Sequence, residues 1–66
     1  MLHESDHVVA THDIHGMAGG DIRKGTAGVV IGHRGHDRPI YRVRFTVTPG
    51  RTTVLGDLTE YDISKS

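Results

Sequence analysis

His12-Asp13-Ile14-His15 and His33-Arg34-Gly35-His36 each place two histidines three positions apart. Imidazole pairs bind zinc, but such sites add a further thiolate, imidazole or carboxylate in fixed geometry. The chain has no cysteine, and both pairs fall in or beside stretches that read as loops. Arg34 and Arg38 beside the second pair would repel a cation. No metal is expected. The histidines read as solvated loop residues titrating near the reference value of about 6.5. Nucleophilic catalysis needs a nucleophile, a base and an orienting group converging in a pocket. Ser5 lies near one end, Ser64 and Ser66 at the other, and the carboxylates are dispersed. Lys24-Gly25-Thr26 shares residues with a phosphate loop, but the upstream glycine and the following helix are missing. No catalytic residue and no cofactor are assigned, and the chain reads as a non-enzyme.

The arginines carry more information. Arg34, Arg38, Arg42, Arg44 and Arg51 stand between positions 34 and 51 against one acid, Asp37. Arginine engages carboxylates and phosphates bidentately and suits interfaces. Asp57, Glu60 and Asp62 make the last segment acidic, so the charges are segregated. Arg34, Arg38, Arg42 and Arg44 are therefore the expected contact residues for a protein partner. Met17, an adaptable side chain among glycines, is a second candidate. A nucleic-acid strand is the alternative occupant, with Arg23 and Lys24 joining Arg42 and Arg44. Against it stands the formal net charge of zero, because nucleic-acid binders add a net basic charge to a patch. A third reading leaves the arginines solvated and paired with Glu60 or Asp62 at about 0–1 kcal/mol each.

Short strands must position these residues. Alternation is clearest at Ile40 to Val47, with Tyr41, Val43, Phe45 and Val47 on one face and Arg42, Arg44 and Thr46 on the other. Asp6 to His12, Thr26 to His33, Thr52 to Leu55 and Glu60 to Ile63 read as four more strands. Tyr61 and Ile63 are expected on one side of the last. Gly28 reads as a bend of a small barrel, or a site of close backbone approach. Thr48-Pro49-Gly50-Arg51 has the order of a type II turn. Gly56 to Thr59 predicts one helical turn capped by Asp57. Asp13 to Lys24, with three glycines and the apolar anchors Ile14, Met17 and Ile22, predicts a long loop folded back on the core or used in function.

The chain has 66 residues and reads as one domain over 6–63, between flexible ends at 1–5 and 64–66. A domain near this size buries only about 60% of the surface of its unfolded chain, so its core is thin. Nothing approaches the ~20 apolar residues of a membrane helix, and the start lacks the pattern of a signal peptide. A cytoplasmic setting without membrane contact is expected.

The stretch Ile22-Arg23-Lys24-Gly25-Thr26-Ala27-Gly28-Val29-Val30, then Tyr41-Arg42-Val43-Arg44-Phe45, then Leu58-Thr59-Glu60-Tyr61-Asp62-Ile63, resembles small SH3-like proteins. These include the variable chain of ferredoxin–thioredoxin reductase, the E subunit of photosystem I and the carboxy-terminal barrel of the nitrile hydratase beta subunit. The resemblance implies an all-β, SH3-like barrel of about five antiparallel strands that docks on a larger protein as an accessory subunit. Over roughly residues 21–47 the chain is also similar to the KOW motif, which implies nucleic-acid binding. Strand edges can pair between copies, so a homodimer is a further expectation.

Overall fold

The computed structural model describes residues 1–16 and 20–66. Five strands, β1 (His7–Ala10), β2 (Ala27–Arg34), β3 (Ile40–Thr48), β4 (Arg51–Leu58) and β5 (Ile63–Lys65), form one antiparallel sheet. The spatial order is β4-β3-β2-β1-β5, which leaves β4 and β5 as edges. Met17 lies outside the described residues.

The sheet is organised by β3. Tyr41, Val43 and Phe45 are each at most 1% exposed, while Arg42 and Arg44 between them are exposed, as strict alternation requires. Val8 and Ala10 of β1, Val30 of β2, Leu58 of β4 and Ile63 of β5 join them in one core. Among the described residues no helix covers this inner face. Instead Leu2 from the N-terminal segment and Ile22 from the long loop are buried in it. The loop closes on itself through paired hydrogen bonds between Ile14 and Ile22, of 2.7 and 2.8 Å. Ile14 packs partly buried beside them, so the loop does fold back on the core. Leu2 is held there by its N–H, which donates to the Tyr41 hydroxyl at 3.2 Å.

Gly28 sits opposite Phe45 in the β2–β3 ladder. A Cβ there would come within 2.7 Å of Val43 Cγ1 and 2.9 Å of Phe45 Cδ1, so the position is a close approach between strands. The register shift in β2 lies further on, between Val30 and Gly32.

Several boundaries differ from the sequence reading. β1 is shorter than Asp6 to His12, because Thr11 turns its N–H to Asp62 and His12 its ring to the same residue. Val47 does not join the core. A register shift between Thr46 and Thr48 breaks the alternation, and Val47 is 43% exposed. Gly50 has the positive φ, 82°, that a type II turn demands at its third position.

The expected helical turn at Gly56 to Thr59 is absent. β4 runs on through Leu58 and absorbs the irregularity at Asp57, whose φ is +58°. Aspartate tolerates that left-handed geometry better than most residues. The chain turns instead at 60–62, where Asp62 accepts the Thr59 N–H at 2.8 Å. Tyr61 therefore lies in a turn, fully outside the core, and does not share a strand face with Ile63. β5 begins at Ile63 and takes in Ser64 and Lys65, and Ser66 donates its N–H to His7.

Candidate functional site: an arginine-bearing outer sheet face

The outer face is built from rows of residues in cross-strand register. One row runs His7, Val29, Arg44, Val54 across β1 to β4. Directly opposed residues of an antiparallel pair point to the same face, so Arg44 is flanked by Val29 and Val54. Beside it, Arg42 stands opposite Gly32, next to Ile31 at the register shift. Val54 is 50% and Ile31 38% exposed. The result is a patch of apolar side chains with two guanidinium groups rising from it.

Arg42 also borders a shallow hollow of about 270 Å³ with His33, Arg34 and Asp57. Arg34 lies 3.6 Å from Asp57 in an exposed pair that leaves both side chains largely in water. Such pairs contribute little to stability. Among the described residues, no carboxylate lies within 4.0 Å of Arg38, Arg42, Arg44 or Arg51. Pairing of the arginines with Glu60 or Asp62 is thus not what forms. Glu60 accepts from the Tyr41 hydroxyl at 3.2 Å and lies 3.7 Å from the N-terminal ammonium. Asp62 faces His12.

The other predicted residues are placed elsewhere. Arg38, in the loop between β2 and β3, lines a second hollow with Pro39, Glu60 and the exposed Tyr61. Arg23 and Lys24 belong to the turn before β2, around a hollow that Asp13 and Asp21 also line. The hollow that Arg23 and Lys24 line is not the one that Arg42 borders. Val54 and Ile31 were not legible as surface residues. Only the register of β4 turns Val54 outward, while Ile31 follows the alternation of β2 beyond the buried Val30.

The histidine pairs separate as well. His15 Nδ1 lies 3.3 Å from Asp21 and His12 Nε2 2.7 Å from Asp62. His33 stacks at a tilt against Tyr41, with ring centres 6.1 Å apart. Among the described residues no three potential ligands gather as a metal site. His12 departs from the ordinary histidine range. Its hydrogen bond to the Asp62 carboxylate, helped by one to the Asp13 carbonyl, raises its pKa. Partial burial opposes ionisation of Asp62, but hydrogen bonds from Thr59 and His12 outweigh it and hold the carboxyl below its usual range.

Among the described residues no helix is long and apolar enough to cross a membrane. No protein family matches the chain, and no curated protein or solved structure is found to be similar to it.

Proposed function

We propose that this chain is a non-enzymatic docking module, an accessory subunit that binds a larger protein through the outer face of β2 to β4. The observation that supports this most is the juxtaposition of Arg42 and Arg44, exposed and without an acidic partner among the described residues, with the half-exposed Val54 and Ile31. Protein interfaces are enriched in arginine set among apolar contacts and depleted in other charges. A phosphate backbone would use the cations and leave Val54 and Ile31 without a role. It would also meet a chain of zero formal charge.

Arg42 and Arg44 supply bidentate contacts to carboxylates or carbonyls of the partner, and Val29, Ile31 and Val54 supply the desolvated centre. Arg34 and Arg38 lie toward the rim, with Arg34 shared with Asp57. The strand order and the long first loop fit an SH3-like architecture in which the sheet curls over Leu2 and Ile22. A cytoplasmic setting fits a chain without cysteine. The reading is tested by affinity capture from the cells that make the protein, wild type beside the Arg42→Glu/Arg44→Glu variant. A protein partner that is identified, reconstituted in pure form and lost with the variant supports it. Equal capture by the variant contradicts it.

A further inference from the structure

Arg42 is the residue of β3 at which the ladder shifts on both sides. Toward β2, Val43 faces Val30 and Arg42 faces Gly32, so Ile31 has no β3 residue of its own. Toward β4, Tyr41 faces Leu58 and Val43 faces Leu55, so Gly56 and Asp57 together stand opposite Arg42. Each shift sets two residues against one, as in a bulge, and bulges re-aim the side chains around them. Both contain a glycine. A Cβ at Gly32 or at Gly56 would meet nothing within 4 Å. The exposed Arg42 is thus flanked on both sides by bare backbone, and the hollow of about 270 Å³ opens there.

The charges around this notch are not matched. Arg34 and Arg42 line it, with Asp57 as the one carboxylate. Asp57 Oδ1 lies 3.6 Å from Arg34 Nη2, too far for a hydrogen bond. Their side chains keep 79% (Arg34) and 81% (Asp57) of their surface in solvent. Asp57, at a left-handed φ of +58°, therefore occupies the notch loosely. Two guanidinium groups against one carboxylate leave a single positive charge, which one incoming carboxylate neutralises. A phosphate dianion would call for more. His33, also at the border, stacks against Tyr41. Gly16 of the long loop lies against Leu55. Leu55 stands opposite the buried Val43 and so faces the core, whereas the notch opens on the outer face.

We infer that this notch is a carboxylate-binding site, which takes one acidic side chain of the docked protein between Arg34 and Arg42 and holds Asp57 as its resident competitor. The inference rests on the docking reading and adds the group recognised and its point of entry. The incoming carboxylate accepts two parallel hydrogen bonds from the Arg42 guanidinium. It lies over Gly32 and Gly56, where no side chain stands in its way. Arg34 gives up its loose pair with Asp57 and turns to the newcomer.

The test is a titration of isotope-labelled protein with poly-glutamate, read at the backbone amides of Gly32 and Gly56 by NMR. Both signals should move and saturate. Asp57→Asn should tighten binding by up to about fivefold, the most that an exposed ion pair opposes. Asp21→Asn removes the same charge at another hollow and should not tighten it. Arg34→Gln should weaken it. Gly56→Val should fill the notch and abolish the shift at Gly32, with melting as the check on folding. If that variant does not fold, Gly32→Val fills the opposite side and is read at Gly56. Poly-glutamate that binds but moves neither glycine would overturn the notch and leave the docking face standing, whereas no binding at all would remove both. Asp57→Asn binding no tighter than wild type would overturn the inference. So would inorganic phosphate binding the notch more tightly than poly-glutamate, which would make it a phosphate site.

Discussion

His12 Nε2 lies 2.7 Å from the Asp62 carboxylate, and Nδ1 of the same ring lies 2.8 Å from the Asp13 carbonyl. Both partners are acceptors, so both ring nitrogens must donate, which only the imidazolium can do. The contact ties the segment after β1 to the turn before β5. Asp62 holds that turn from its other oxygen, through the Thr59 N–H and hydroxyl. Two polar loops are thereby fastened by one pair.

The sign of the pH dependence follows from the two shifts. His12 has its pKa raised on folding, so its contribution is present below its unfolded value near 6.5 and is lost as pH rises through the folded value. Asp62 has its pKa lowered, so its contribution is present above its unfolded value near 3.8 and is lost as pH falls through the folded one. Thermal stability should therefore rise between neutral pH and mildly acidic pH, then fall in strong acid. His12→Gln should flatten the rise. Melting curves of wild type and variant across this range check it, and an unchanged profile in the variant would remove the pair as the cause.

Tyr41→Phe should loosen the N-terminal segment. The hydroxyl accepts the Leu2 N–H and donates to Glu60, both at 3.2 Å. Without it a buried N–H loses its partner, at a cost of about 1–3 kcal/mol. Denaturant unfolding should show that loss, and hydrogen exchange should show faster exchange at Leu2 in particular.

Gly28→Ala and Gly32→Ala should differ in sign. At Gly28 the new methyl meets Val43, Phe45 and the Arg44 carbonyl at 3.0 Å or less. Overpacking of this kind costs about 1–3 kcal/mol. At Gly32 nothing lies within 4 Å and no positive φ is needed. The unfolded chain alone loses freedom there, so stability should be unchanged or rise by about 0.4–1 kcal/mol. Urea midpoints of the two variants decide the matter.

Phe45→Ala should cost about 3–5 kcal/mol, enough to unfold a domain this small. Val47→Ala, two residues along the same strand, should cost well under 1 kcal/mol because Val47 is already 43% exposed. Equal losses at the two positions, read by circular dichroism and melting, would place both in the core.

Much of the fold was legible because β3 alternates without interruption from Tyr41 to Phe45, so a simple period of two names the core and sets Arg42 and Arg44 outside it. Reading failed where that period breaks. Val47 and Asp57 sit at register shifts, and a single extra residue reverses the face of everything beyond it. Asp57 also looked like a cap, because aspartate suits both a helix start and a left-handed bulge position. Tyr61 reads as sharing a strand face with Ile63 because its ring fits a strand, whereas the Asp62–Thr59 bonds make its position a turn. The arginines of the candidate face were legible as a cluster. Their apolar companions Val54 and Ile31 were not, since a valine in an edge strand reads the same whichever face it takes. That Arg23 and Lys24 share a hollow with Asp13 and Asp21 is a matter of tertiary placement that spacing does not encode.

The most direct measurement is a paired binding titration of wild type and the Arg42→Glu/Arg44→Glu variant. Both are offered poly-glutamate peptides and mixed DNA and RNA oligonucleotides over a series of salt concentrations. Both arginines face outward, so the variant should melt like the wild type. The docking account predicts binding to the acidic peptide that disappears in the variant, with oligonucleotides bound no better by wild type than by variant. Oligonucleotide binding that weakens steeply with salt through counterion release, and is lost in the variant, would contradict it and make the arginine face a nucleic-acid surface.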